Sequence, residues 1–335
     1  MSAARVRPLL ARRGARFACV GDGVCCTDVH AVGPLSRRER GIFEGMHAGL
    51  IVRVGGHALL SSGRHGRCPF LEDAGCALHA RLGSGAKPRV CVRFPYGLVA
   101  TPLGGRVTTS HRCSCRTLGA RPPLDLEAAE EALRFPSGRL YAEIRVPGPI
   151  PLTARHGVTF EQYVEREDDL LVALLASSDP RAELAKRAEP LPATSLERER
   201  ALELSSASPR SRFGAAVAWL GLALRARGGE KVDGWPPRPW SSELDRAEAR
   251  SAPPDDPDGT ARRMLADYAA DELWGLEWCG KGPLDGKLAD LGRRLELGEI
   301  LIEALLAQGA RADRAAAEAL MILDLASSEA DGPSD

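Results

Sequence analysis

Two hydrophobic patterns divide the chain. In the first third, apolar residues come in short runs broken by glycine, as in LIVRVGGHALL and YGLVATPLGGRVTT. Such runs predict strand pairs, the first turning at Gly55-Gly56 and the second near Gly104-Gly105. Ser36-Arg-Arg-Glu39 has the form of a capping box and predicts a helix running to about His47. CPFLEDAGCALHARLG predicts a turn at Asp73–Gly75 followed by one or two helical turns. From Leu124 onward the apolar spacing is helical. Thr159-Phe-Glu-Gln162 and Thr194-Ser-Leu-Glu197 predict further capping boxes, and Ser208-Pro209 an N-cap with proline at the first helical position. The run FGAAVAWLGLALRA, ending before Gly228, is the most apolar and is expected in the core. Residues 229–258 are proline-rich and expected to be irregular, with helices resuming at about 260–275, 287–308 and 312–327.

These elements predict an α+β protein. A loop- and hairpin-rich lobe over residues 1–120 precedes a helical region at 121–228, the proline-rich connection at 229–258, a second helical region at 259–327 and a polar tail at 328–335. The 335 residues are 44% hydrophobic and 27% charged, ordinary for a globular chain. No apolar run has membrane-span or signal-peptide length. The expected setting is the cytoplasm, with no membrane partner.

Eight of the nine cysteines and six of the seven histidines fall in the first 115 residues, leaving Cys279 and His156 beyond them. A reducing compartment keeps thiols unbridged, and an odd total fits disulfides poorly, so the clustering points to metal. Net charge is zero overall, yet residues 1–120 carry 18 Lys/Arg against 6 Asp/Glu while residues 121–335 carry 27 against 39. The arginine excess is read as partial compensation for buried thiolates; nucleic acid is disfavoured, because the aromatic interleaving of a single-strand platform is missing. Opposite lobe charges also favour docking of one lobe on the other.

In an extended segment the adjacent Cys25 and Cys26 point to opposite faces and so suit two centres. With Cys19, Cys68, Cys76, Cys91, Cys113 and Cys115 they make eight thiols, enough for two four-ligand sites of zinc or iron–sulfur type. His79, His111 and His30 lie close enough to cysteines in the chain to be further donor candidates. Arg93 and Arg112 are candidates to donate to thiolate sulfur. Glu39 is explained as a cap, Trp274 and Trp278 as packing residues, and Cys279 as a thiol apart from the cluster.

FACVGDGVCC, CPFLEDAGC and CVRFP together resemble the zinc- or iron-chelating cysteine-cluster family, over roughly residues 17–116. That family shows C-x2-C-x2-C-C where this chain has Asp22 in place of the second cysteine, so the resemblance implies that Asp22 replaces a ligand or that one site is incomplete. GCALHARLGSGAKPRVCVRFP and TTSHRCSCRTL further resemble the flagellin lysine-N-methylase branch, as do EREDDLLVALL and MLADYAADELWGL more distantly. This second resemblance implies an alternative activity, methyl transfer from S-adenosylmethionine to a lysine of a protein substrate. The chain has neither a glycine-rich nucleotide loop nor the C-x3-C-x2-C spacing of radical chemistry with that cofactor.

Overall fold

The computed structural model describes residues 4–21, 23–30, 32–47, 49–63, 66–73, 75–188, 211–254 and 257–329. The class is α+β. In chain order the strands are β1 (Leu9–Ala11), β2 (Ile51–Val54), β3 (His57–Leu60), β4 (Leu71–Glu72), β5 (Gly75–Cys76), β6 (Tyr96–Thr101), β7 (Gly104–Thr109), β8 (Ile144–Arg145), β9 (Ile150–Thr153) and β10 (His156–Val158). The helices are α1 (Arg37–Met46), α2 (Ala77–Leu82), α3 (Arg89–Arg93), α4 (Leu126–Leu133), α5 (Phe160–Ala176), α6 (Pro180–Ala185), α7 (Arg212–Arg227), α8 (Ser241–Arg250), α9 (Pro257–Trp274), α10 (Leu284–Ala307) and α11 (Ala312–Glu329). Among the described residues no helix is long and apolar enough to cross a membrane.

The second predicted hairpin lies at the centre of a four-stranded sheet ordered β1-β7-β6-β8. Its turn is Pro102-Leu103, not Gly104-Gly105, because Thr101 pairs with Gly104 and Ala100 with Gly105. The glycines serve a different purpose. β1 runs parallel to β7 with Leu9 opposite Gly105, and a Cβ on Gly105 would stand 2.5 Å from the Val6 carbonyl oxygen. Only glycine admits the N-terminal segment this closely.

Side chains alternate across this sheet. Leu98, Ala100 and Val107 face α4, where Ala129 and Leu133 complete a small core. Val99 faces the other way, into a cluster with Ile150, Phe160, Tyr163 and Trp278. Arg106, opposite Val99, therefore emerges on the side of the helical lobe. The main core is built by α5 to α11 and includes Trp219, Trp240, Leu291, Leu301 and Leu320, but Val24, Val29 and Leu118 of the first lobe also belong to it.

The capping boxes at Ser36 and Thr159 form as expected. Thr194–Glu197 and Ser208-Pro209 lie outside the described residues; α7 begins at Arg212, capped by Ser211, whose hydroxyl accepts from the Gly214 N–H. Two expectations need correction. Residues 229–258 are not wholly irregular, since α8 forms where the sequence between the prolines at 239 and 253 carries none, and it buries Leu244 and Ala247. The stretch after Leu124 is not wholly helical either, because β8 joins the first lobe's sheet and β9 pairs with β10.

Candidate metal centre

The Cys25-Cys26 pair sits in a 3-10 turn, Val24–Cys26, rather than in an extended segment. Gly23 opens it at φ 78°, a left-handed conformation glycine adopts without strain. The next residues pair with the Cys68 segment: the Asp28 N–H donates to the Gly66 carbonyl at 2.6 Å, and the Cys68 N–H to the Cys26 carbonyl at 2.7 Å. Cys26 and Cys68 are thereby held side by side. Chain reversal through β4 and β5, with Leu71 opposite Cys76, returns Cys76 to the same place. The Leu71 N–H donates to the Cys68 carbonyl at 3.0 Å, and the Phe70 N–H points at the Cys68 sulfur. This hairpin rests on a satellite core of Phe43, Leu60 and Leu78.

Cys91 arrives on α3, which Pro88 introduces. Glu39 anchors that helix while capping α1: its carboxylate accepts from the Ser36 N–H at 2.8 Å and from the Arg89 N–H at 2.5 Å. The expectation that Glu39 is a cap holds, and the carboxylate also spans two elements. Burial pushes the Cys91 thiol up to about 12, with Cys26, Cys68 and Cys76 adding to the rise. Burial likewise pushes Cys68 up to about 11, reinforced by Cys26 and Cys76. Cys26, Cys68, Cys76 and Cys91 are thus one group of thiols, each close enough to disfavour a neighbour's negative charge.

Cys113 and Cys115 form a second group. They are 5% and 1% exposed and pack with Phe17. The Val20 N–H donates to the Cys115 sulfur at 3.4 Å, drawing the Cys19 segment alongside. Burial raises the Tyr96 hydroxyl to about 12, and Asp125, Cys19 and Cys113 raise it further, which places Cys19 with this group. Burial lowers Arg121 to about 10 against the opposing pull of Cys115 and Cys113, which sets its charge against these thiols.

A cavity of about 570 Å³ joins these parts. Cys19, Cys25, Cys26, Cys68, Cys76 and Cys91 line it from the first lobe, and Glu272, Glu277 and Asp324 from the helical lobe. Cys113 and Cys115 lie behind its wall. All nine cysteines are thiols rather than disulfides. Soft thiolates suit zinc, iron–sulfur clusters or monovalent copper, so the donor chemistry fits the metals expected from sequence. The sulfurs are not drawn together in threes: among the described residues, the trio of His, Cys, Asp or Glu donor atoms lying mutually within 4.8 Å is His111, Asp267 and Asp271.

That trio is already satisfied. Arg12 contacts Asp271 at 2.6 Å and also pairs with Asp267; Arg116 lies 2.7 Å from Asp267 and 2.6 Å from Asp271. Two guanidiniums balance two carboxylates, and a cation would have to displace them. His111 spends one nitrogen on Asp271 at 3.0 Å and the other near Thr117 Oγ1 at 3.4 Å. His79 is exposed on α2 and does not reach the cavity wall. His30 does line it, with its ring 4.6 Å from that of Phe94. Burial and the Arg112 charge hold the His30 imidazole neutral down to about 3, although it donates to the Arg112 carbonyl. Asp22 lies outside the described residues.

The arginines serve the lobe interface more than the thiolates. Arg93 pairs with Glu143 at 2.7 Å and Arg112 lies 3.9 Å from Asp324, so both guanidiniums turn to carboxylates rather than to sulfur. Arg106 makes a bidentate pair with Glu167 at 2.7 and 2.6 Å, 2% and 1% exposed, and lies 4.1 Å from the centroid of the Trp274 ring. Trp274 and Trp278 are packing residues as expected, their indole N–H groups donating to the carbonyls of Val107 and Leu273. Cys279 is half-buried beside the Trp278 cluster, apart from the other eight thiols, and burial raises it to about 12. Asp267 and Asp271 carry no motif and escaped sequence reasoning; their one-turn spacing on a helical stretch, facing an arginine-rich lobe, was the available signal. Comparison with known proteins adds no relative: no family model matches the chain, and neither a curated protein nor a solved structure matches it.

Proposed function

We propose that this protein binds metal, holding zinc or an iron–sulfur centre through its clustered cysteines. One observation carries the reading: Cys26, the Cys68–Cys76 hairpin and Cys91 come from three separate segments and converge on one cavity as mutually interacting thiols. Cys68 and Cys76 also pack against the Phe43, Leu60 and Leu78 cluster, so it is the meeting of four thiols, rather than their burial, that supports the reading. Cys19, Cys113 and Cys115 offer a second donor set. Bound zinc would supply folding free energy to the loop-rich lobe, and a cluster would supply electron transfer. The chain's part is to bring the thiols together, to exclude water behind Phe94 and Tyr96, and to release thiol protons as ligands form. Cytoplasmic placement belongs to the same reading, because thiolate ligands persist where disulfides do not.

The test is metal analysis and an absorption spectrum of protein purified anaerobically. One or two equivalents of zinc, or iron with sulfide-to-iron charge-transfer bands, is the expected result. Folded, stable protein without metal, and with all eight thiols freely titratable, would overturn the reading.

The cavity itself supports a second reading, methyl transfer from S-adenosylmethionine to a lysine of a partner protein. That activity needs a cofactor pocket between the lobes, and the cavity is lined from both, with a volume of about 570 Å³ in the range of small-molecule sites. Calorimetry with S-adenosylmethionine separates the two, because a metal-binding module without transferase activity gives no heat.

A further inference from the structure

Two cysteines from segments far apart in the chain are brought opposite one another by a backbone pairing. Thr27 stands opposite Arg67 in an antiparallel bridge, and on either side of it the Asp28 N–H donates to the Gly66 carbonyl at 2.6 Å and the Cys68 N–H to the Cys26 carbonyl at 2.7 Å. Cys26 and Cys68 are therefore in register. Residues directly opposite in an antiparallel pair have Cα atoms about 4.5–5.5 Å apart, inside the roughly 4.4–6.8 Å that a disulfide spans. Both side chains are half-buried thiols, and both line the same cavity.

The other thiols of the group are placed differently. Cys76 has Leu71, not Cys68, as its partner in the β4–β5 hairpin, and Cys91 is carried by α3. At Cys68 and at Cys91 alike, Cys26 is the thiol that most opposes a negative charge, ahead of Cys76 in both cases. Cys26 is thus central to the group, and Cys68 is the thiol its backbone pairing holds beside it. Thiols at such spacing have a second chemistry besides metal binding, because in a reducing compartment the disulfides that do form are mostly transient ones between poised neighbours.

We propose that Cys26 and Cys68 are a redox pair, oxidised reversibly to a disulfide with one another by a low-molecular-weight disulfide that enters the cavity. The thiolate of one cysteine attacks a sulfur of the reagent, forming a mixed disulfide and expelling one thiolate; the other cysteine then attacks the protein sulfur of that bond and expels the second. The two protons lost by the cysteines pass to the two expelled thiolates, and the two electrons taken from the protein reduce the reagent. The pairing stands without metal. Its consequence rests on the metal-binding reading: a bond between Cys26 and Cys68 withdraws two of that group's four thiols, so oxidation empties the site and bound metal shields the pair from oxidation.

The experiment incubates the full chain with a chelator in a redox buffer of 2-hydroxyethyl disulfide and 2-mercaptoethanol, alkylates the remaining thiols and maps disulfides by peptide mass spectrometry. Wild type should lose two alkylatable thiols and yield the bond between Cys26 and Cys68, reversed by excess 2-mercaptoethanol. Cys25→Ser, Cys76→Ser and Cys91→Ser should keep that bond, whereas Cys26→Ser should form an intramolecular disulfide at Cys68 at least about tenfold more slowly, having lost the thiol held opposite it. Wild type that stays reduced, that closes Cys26 on Cys91 or Cys25, or that closes Cys68 on Cys76, would overturn the pairing; so would equal rates at Cys68 in wild type and Cys26→Ser. A parallel arm omits the chelator, starts from chain loaded with zinc alone and follows zinc release on adding 2-hydroxyethyl disulfide, against a control without it. Release of one equivalent as the bond closes is the expected result, and closure without release would overturn the consequence while leaving the pair. Wild type that closes the bond but takes up no zinc would overturn the metal-binding reading and leave the pairing standing.

Discussion

Glu167→Gln should destabilise the protein severely although it removes no atoms and lies outside the thiol cavity. The wild-type carboxylate receives Arg106 at 2.7 and 2.6 Å and the Tyr163 hydroxyl at 3.0 Å, and both charged side chains are almost wholly sealed from water. Breaking a buried ion pair while leaving one charge in place costs about 3–5 kcal/mol, since the surviving ion has lost its hydration and its partner. Glu167→Gln belongs at the lower end. Its guanidinium still lies over the Trp274 and Phe160 rings at 4.1 and 5.1 Å, and a desolvated cation–π contact returns up to about 2 kcal/mol. Arg106→Met belongs at the upper end, because the stranded Glu167 carboxylate keeps only the Tyr163 hydroxyl. Arg106→Met with Glu167→Leu should recover most of the loss, as apolar replacements of buried pairs commonly do. Urea unfolding at constant metal loading, with unchanged slope, of these variants and of Glu167→Leu alone gives the four differences and the coupling of the Arg106→Met and Glu167→Leu pair. Single losses below about 1 kcal/mol, or a double variant as weak as the sum of the singles, would refute the reasoning.

Three further outcomes are expected. Serine at Cys26, Cys68, Cys76 or Cys91 should lower metal content sharply while Cys279→Ser changes nothing, because a hydroxyl is a poor donor to a soft ion; equal metal loss from Cys279→Ser and Cys68→Ser would show that the partition of thiols is wrong. Acid should weaken the fold between about pH 4 and pH 2: burial pushes Glu272 up, but Lys287 and Arg294 outweigh it and hold the carboxyl at about 2, so the folded value lies below the unfolded one and stability present above pH 4 is lost as pH falls. The loss is on the order of 2 kcal/mol after discounting for partial exposure, and Glu272→Gln should flatten the urea-midpoint profile over that window; an unchanged profile would count against it. Gly105→Ala should cost about 2 kcal/mol or more, because the new methyl would stand 2.5 Å from the Val6 carbonyl oxygen and 2.9 Å from Leu98 Cδ1; wild-type stability would mean that β1 is not seated on β7.

Local chemistry made much of this protein legible in its sequence. The capping boxes at Ser36 and Thr159, the Gly55-Gly56 hairpin, the long helices and the α+β class depend on residues near one another in the chain, where spacing decides conformation. The thiol clustering was equally plain, because few other needs concentrate eight cysteines in one lobe. What depends on distant neighbours was not legible. Gly104-Gly105 looked like a turn, yet these glycines make room for a segment nearly a hundred residues earlier. Arg12, Arg106 and Arg116 looked like counter-charges for thiolates, yet they meet Asp267, Asp271 and Glu167 across the lobe interface. Which thiols group together, that His111 is engaged while His30 Nε2 is idle, and that the cavity is closed from both lobes were decided only by tertiary packing. A sequence records which groups can ionise or coordinate, and the fold selects their partners because buried charges and polar atoms must be satisfied by whatever the packing brings within reach.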